Sequence, residues 1–438
     1  MSTKKAESTE KERERAFLVG VDVYKQPGLI SLEDSLEELE RLADTAGLDV
    51  VGELTQKIDR PSADTYIGSG KVEELRAFVE ETLADVIIFD LDLSPRHQRE
   101  LEKIFGLEVR ILDRTALILD IFAQHARTRE GILQVELAMH EYRLPRLTRA
   151  WTHLARQAGG GGGRAGSVGG VGLRGPGETQ LEVDKREISR RIHKLKEEIK
   201  KISEHRHQYR QQRKRSKTPI VALVGYTNAG KSTLLNKLAR TDIYVADQLF
   251  ATLDPTTRRV VLPDKQVILL TDTVGFIQKL PTQLIAAFKA TLEEITEADL
   301  LLHIIDSTHP VAKQQAESVL QTLELIKADH IPVINVLNKA DQLTPEQITR
   351  LQKENFPHSV AISALTGAGM EELMKHVDHV LFQSMLPLKV KLPYANGQLI
   401  SLFHESGLVE RIKYGSKAVE ITGRIPGRLY ARFQQFEI

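Results

Sequence analysis

The chain has 438 residues, enough for roughly two to four domains, and its 41% hydrophobic and 27% charged residues are globular proportions. It contains no cysteine, which excludes disulfides and thiolate-held zinc or iron–sulfur clusters. The formal net charge of zero hides a separation: 22 acidic against 10 basic residues over 31–120, then 20 basic against 7 acidic over 142–217. Charge sorted in this way implies that one segment faces a polyanion, unless both are merely solvated faces.

Residues 1–15, MSTKKAESTEKERER, are polar and charged, are expected to be disordered, and lack the apolar core of a signal peptide. No apolar run in the chain approaches the ~20 residues that span a bilayer, so a cytoplasmic protein without a membrane partner is expected. Over 16–127, the runs AFLVGVDV, DVVGEL, DVIIFDLD and VRILD read as buried strands, and the stretches between them carry apolar residues three and four apart, as helices do. The order β-α-β-α-β-α-β predicts an α/β domain with a mainly parallel sheet.

Residues 128–217 are expected to form a helical hairpin. A first helix runs to about Gln157 with Pro145 kinking or interrupting it, and 159–177 holds 11 glycines in 19 residues. In the long helix that follows, Leu181, Ile188, Leu195 and Ile202 fall seven apart, with Ile192 and Ile199 as second seam positions. This stripe calls for a partner helix, either the preceding one or that of a second copy. The hairpin would carry the glycine loop roughly 45 Å out at ~1.5 Å per residue. Between 142 and 177 there are six arginines (143, 146, 149, 156, 164, 174) and no acidic residue, and 185–217 adds 14 basic against 4 acidic residues. Arginine suits phosphate, and a glycine loop on a rigid support suits folded RNA; a flexible linker is the simpler alternative.

Residues 218–385 return to alternating strand and helix and carry the chemistry. PIVALVGYTNAGKSTLLNKL is strand, turn and helix start, with the phosphate-loop pattern Gly225-x-x-x-x-Gly230-Lys231-Ser232. The loop Tyr226, Thr227, Asn228, Ala229 and the following Thr233 are expected to cradle phosphates with backbone N–H groups at a helix N-terminus. Lys231 should pair with the β- and γ-phosphates, and Ser232 should ligate Mg²⁺. VILLTDTVG (267–275) ends a second apolar strand in Asp272, a further Mg²⁺ candidate; Thr273 and Val274 lead to Gly275, whose N–H can reach the γ-phosphate. In FATLDPTTR, after Phe250 and Ala251, Thr252 is the preferred switch threonine for Mg²⁺, with Thr256 and Thr257 as competitors. VINVLNKAD (333–341) selects the base. The Asp341 carboxylate can accept from guanine N1–H and the N2 amine, Asn338 orients the loop, the Lys339 stem covers the base, and Ala340 completes the turn. Ser363, Ala364 and Leu365 are placed to offer a backbone N–H to guanine O6.

These elements predict a P-loop GTPase: α/β, preceded by an α/β domain with a helical arm and followed over 386–438 by a small α+β domain, in which LKVKL, QLISLF, AVEITG and RLYARF read as strand-like runs. Hydrolysis would be in-line attack by water. The residue after Gly275 is Phe276, where Ras-like proteins carry a water-orienting glutamine. Intrinsic turnover is therefore expected to be slow, with help from a partner or from K⁺ held by Asn228, unless Asn228 only stabilises the turn. His205 and His207, two apart on a helix, lie on different faces and do not form a metal pair.

LDRTALILDIFAQHARTREGILQVELA (112–138), GPGETQLEVDKR (175–186), and FATLDPTTR before DTVGF resemble the HflX family of bacterial GTPases. The resemblance implies binding to the large ribosomal subunit and its rRNA through the N-terminal domain and glycine loop, and splitting of stalled ribosomes under stress; a monomer is expected because the seam is best met by the preceding helix of the same chain. It places 159–177 near the peptidyl-transferase region. Its alternatives are a large-subunit assembly GTPase and an ATP-dependent RNA remodeller. The last would use the N-terminal domain, for which ATP binding is proposed in the family. Gly68-Ser69-Gly70-Lys71 invites that reading, but Thr65 stands where the earlier glycine is needed and Val72 where a hydroxyl is needed, so a helix start is the simpler account.

Overall fold

The computed structural model describes residues 13–24, 29–106, 108–147, 180–215, 218–239, 249–250, 255–263, 266–278, 289–383 and 385–438. Two compact units are present, Met1–Ser203 and Glu204–Ile438.

In the first unit, β1 (Glu14–Val23), β2 (Leu48–Ile58), β3 (Val86–Phe89) and β4 (Arg110–Asp113) form a parallel sheet in the order β2-β1-β3-β4. The helices α1 (Leu32–Thr45), α2 (Ser69–Thr82) and α3 (Pro95–Phe105) connect successive strands, the βαβ pattern read from the sequence. Ser31 and Ser94 cap α1 and α3 through their side chains, and Pro95 occupies the first turn, where its missing N–H costs nothing. α4 (Arg114–His125) starts on the Asp113 side chain. The Arg114 guanidinium is buried, 2.6 Å from Asp90 and also paired with Glu38.

α5 (Arg129–Arg143) stops before Leu144-Pro145-Arg146, a single 3₁₀ turn; the helix expected to run on to about Gln157 lies outside the described residues. Arg146 corrects one expectation. It donates to Leu93 O at 2.6 Å, Gln98 Oε1 at 3.0 Å and Asp113 Oδ2 at 3.2 Å, and lies over the Tyr142 ring. Burial raises the Asp113 pKa and pushes the Tyr142 phenol well above its ordinary range. Of the six arginines assigned to a polyanion, Arg146 is a structural clamp, while Arg143 is exposed and the other four lie outside the described residues. α6 (Gln180–Arg215) packs Leu195 with Leu133 and Leu137 of α5, with Ile192, Ile199 and Ile202 against them. The seam therefore meets the preceding helix. Arg191–Glu136 and Lys196–Glu141 ion pairs flank it. The glycine-rich 159–177 lies outside the described residues.

In the second unit, β5 (Ile220–Gly225), β6 (Thr256–Val261), β7 (Val267–Asp272), β8 (Leu300–Asp306), β9 (Val333–Asn338) and β10 (Val360–Ala361) form a sheet in the order β10-β9-β8-β5-β7-β6, parallel except for β6. Its helices are α7 (Lys231–Ala239), α8 (Lys289–Thr296), α9 (Ala312–Leu325), α10 (Pro345–Glu354) and α11 (Met370–Asp378). β5 and β8 bury Val221, Leu223, Leu302 and Ile304, the continuous apolar runs of a sheet covered on both faces.

The C-terminal segment has three antiparallel strands, β11 (Met385–Pro393), β12 (Leu408–Tyr414) and β13 (Ala418–Pro426), in the order β11-β13-β12. Two of its predicted strand-like runs are helical. QLISLF lies in α12 (Gly397–Ser406), and RLYARF contributes a 3₁₀ turn and α13 (Tyr430–Phe433). Short apolar runs fit either period. Packing decided: Phe403 and Phe433 meet edge to face at 5.4 Å beneath the sheet. β12 was missed because LVERIKY is too polar to read as a buried strand.

Candidate functional site

The parallel strands of the second sheet end on one edge, where the segments 225–232, 272–275, 338–341 and 363–365 follow β5, β7, β9 and β10. At the end of β5 the chain turns through Gly225–Gly230 into α7. Gly225 (φ +151°) and Gly230 (φ +92°) permit close approach, since a methyl at the first would strike the Ile304 carbonyl and at the second the Asn338 amide. Asn228, at φ +58°, is exposed on the turn, while Tyr226, Thr227 and Ala229 are buried. Ser232 and Thr233 are half-buried in the first turn of α7.

Lys231 is buried and donates to Gly225 O at 3.1 Å and Tyr226 O at 2.7 Å. Burial pushes its pKa down to about 8, against the opposing pull of Asp272. The Ser232 hydroxyl donates to Asp272 Oδ2 at 2.6 Å, joining the first turn of α7 to the end of β7. Past Asp272, Thr273 donates to Leu223 O at 2.6 Å and Val274 is half-buried. A Cβ at Gly275 would lie 3.0 Å from Lys231 Nζ and 2.8 Å from the Thr227 methyl. Only glycine leaves the lysine clear. Phe276 N–H donates to Gly225 O at 3.1 Å and Thr227 N–H to Phe276 O at 2.8 Å, so the two loops are stitched together while the Phe276 ring is buried.

Asn338, at the end of β9, ties three segments. Its Nδ2 donates to Ala229 O at 2.8 Å, Oδ1 accepts from Ala364 N–H at 2.9 Å, and its carbonyl accepts from Ser307 Oγ at 2.6 Å. Lys339 takes φ +63° and reaches Asp306 at 2.6 Å. Burial opposes the Asp306 charge, but hydrogen bonds from Lys339 and Thr308 hold its pKa below the ordinary value. Ala340 N–H donates to Ile362 O at 3.0 Å. Asp341 is exposed. Ser363 is buried and accepts from Thr366 N–H at 3.1 Å, whereas Leu365 is exposed.

Thr256 and Thr257, the competing switch threonines, lie in β6; Thr257 Oγ1 is 3.0 Å from Thr271 Oγ1. Phe250 is buried at φ +58°, and Ala251 and Thr252 lie outside the described residues. Sequence reasoning missed Asp306 and Ser307, although an acid ending the apolar run LLHIID was a usable signal. Gly68 begins α2 and donates its N–H to Gln56 at 3.1 Å, while Lys71 pairs with Glu74, which is a helix start. Among the described residues no cluster of His, Asp or Glu could hold a metal by itself, and no helix is long and apolar enough to cross a membrane.

A GTPase HflX of Caldanaerobacter subterraneus subsp. tengcongensis is 42% identical over 99% of this chain and 96% of its own length, and one of Escherichia coli is 44% identical over 86% of each. The chain belongs to the HflX family of GTPases. As an HflX GTPase it binds and hydrolyses GTP. Three family models divide its length: GTP-binding GTPase N-terminal at residues 33–123, GTP-binding GTPase middle region at 125–213, and 50S ribosome-binding GTPase at 220–339. Among solved structures, a GTP-binding protein of the archaeon Sulfolobus solfataricus in complex with GDP is 24% identical, covering 83% of this chain and 97% of its own, with a TM-score of 0.41.

Proposed function

We propose that this HflX GTPase is a GTP-switched factor that binds the large ribosomal subunit and splits stalled ribosomes under stress. The carrying observation is the convergence of Lys231, the Ser232–Asp272 pair and the Asn338–Ala364 tie on one sheet edge, in a domain that matches the 50S ribosome-binding GTPases. Lys231 exchanges its two carbonyl partners for the β- and γ-phosphates, and the Gly275 N–H serves the γ-phosphate. Asp341 accepts from guanine N1–H and N2, the Lys339 stem lies along the base, and Leu365 presents the amide for O6 because the Ala364 N–H is committed to Asn338.

A hydroxyl and a carboxylate 2.6 Å apart form an oxygen donor set suited to a hard cation. Ser232 and Asp272, with Thr252, would hold Mg²⁺, which supplies neutralisation of phosphate charge when bound. Asn228 is the candidate K⁺ residue. Phe276 is buried and offers no polar group to water, so the large subunit supplies what unstimulated turnover lacks. The glycine loop at 159–177, flanked by the basic α6, is the segment that reaches rRNA.

The test is the GTPase rate with and without purified large subunits, in K⁺ and in Na⁺, for the natural chain and one lacking 159–177. Subunits should accelerate the natural chain, and the deletion should remove that acceleration while leaving unstimulated turnover intact. No acceleration in any combination sinks the proposal.

A further inference from the structure

We infer that the open face of the C-terminal sheet is a second RNA-binding surface, which grips a ribosomal RNA backbone by its phosphates; this rests on the large-subunit reading above. Side chains alternate along these strands. Leu388, Val390, Leu392, Val419 and Ile421 point into the core with Phe403 and Phe433, so the residues between them face the other way. Strand register sets Lys389, Thr422 and Arg411 in one cross-strand row and Lys391, Glu420 and Lys413 in the next, with Arg424 one step further. Five cations thus share the face with Glu420.

Part of this charge is answered locally. Glu420 lies 3.7 Å from Lys391, and Glu410, the residue at the β12 bulge, lies 3.4 Å from Arg424. Lys389, Arg411 and Lys413 are exposed, and among the described residues none has a carboxylate within ion-pair distance. Like charges gathered on one rigid face destabilise it unless a polyanion covers them. Cations two apart on a strand are about 6.8 Å apart, and those on β11 and β12, with β13 between them, about 10 Å, a lattice commensurate with phosphates along a nucleic-acid strand. A protein partner would want an apolar centre, and these two rows offer none. The rows also lack an aromatic ring on which a base could stack. Contact is therefore with the backbone and independent of base sequence.

The experiment uses the full chain loaded with a non-hydrolysable GTP analogue and measures binding to purified large subunits, and to protein-free large-subunit rRNA, at several KCl concentrations. K389E/R411E/K413E should weaken both interactions tenfold or more. The milder K389Q/R411Q/K413Q, which retains side-chain length and guards against misfolding, should lower the slope of log affinity against log salt by about 2 to 3, at ~0.7–0.9 per lost phosphate contact. Lys417→Glu, at the exposed turn between β12 and β13, should behave as the natural chain, and unstimulated GTP hydrolysis should be unchanged throughout. Unchanged affinity and slope in both triple variants, with the natural chain binding well, overturns the inference alone. Weakened binding to particles with unchanged binding to bare rRNA also overturns it, in favour of an acidic protein. A natural chain that binds neither particles nor rRNA overturns the large-subunit reading and this inference together.

Discussion

Asn338 is buried and Asp341 exposed, three residues apart on the same turn, and their work divides accordingly. Asp341 is exposed and its side chain has no hydrogen-bond partner among the described residues, so Asp341→Asn should leave stability unchanged. It exchanges an acceptor for a donor, and GTP affinity should fall a hundredfold or more while xanthosine triphosphate gains; calorimetry with both nucleotides reads this directly, and unaltered preference would remove Asp341 from base selection. Asn338→Ala instead strands the Ala364 N–H and the Ala229 carbonyl, at about 1–3 kcal/mol for each buried group left unpaired. It should lower the urea midpoint even without nucleotide.

His303, unused by the proposed chemistry, is buried in β8 with Nδ1 3.1 Å from Asn335 Oδ1, and burial pushes its pKa down to about 4. The unfolded chain binds a proton as pH falls through about 6.5, whereas the native one waits until about 4. Stability from the neutral imidazole is therefore complete above pH 6.5 and is lost as pH drops towards 4, by up to about 3 kcal/mol. His303→Gln should flatten the decline of stability between pH 7 and pH 5; slopes matching the natural chain would show that this histidine titrates normally.

At the scale of elements, Arg146 fixes the turn that ends α5 to the sheet of the first unit. Arg146 answers a buried carboxylate on β4, a carbonyl before α3 and a ring on α5. Arg146→Met keeps the packed stem but leaves Asp113 without its cation, and should destabilise the first unit by about 3 kcal/mol, seen as faster amide exchange in β4 and α4. Exchange at the natural rate would mean that the clamp contributes nothing. This side chain marks a limit of legibility. Counted along the chain, Arg146 is one more positive charge in a basic run; only the fold brings Asp113, 33 positions earlier, beside it. QLISLF failed for a related reason, because six apolar-rich residues fit a strand or a helix until a neighbour such as Phe433 selects the face.

At the scale of the molecule, acidic and basic residues are sorted between segments, so ribosome engagement should be electrostatic and nucleotide binding should not. With K⁺ held at a fixed concentration, raising total salt from about 50 to about 200 mM should weaken large-subunit binding by about a thousandfold if six or more phosphates are contacted, while unstimulated GTP turnover stays nearly constant. Parallel loss of both would place the salt sensitivity in the nucleotide site instead.

The nucleotide loops, the parallel α/β character and the heptad seam were legible in the chain because each depends on residue types at short fixed spacing: a glycine where a carbonyl crowds the backbone, an acid ending an apolar strand, a leucine or isoleucine every second turn. Tertiary structure decided what depends on residues distant in sequence. It paired Ser232 with Asp272, spent the Asn338 amide on Ala229 and Ala364, withdrew Arg146 from the basic arm, and gathered Lys389, Arg411 and Lys413 onto one open face. A linear pattern records what a residue can do, whereas burial and partner determine what it has left to offer.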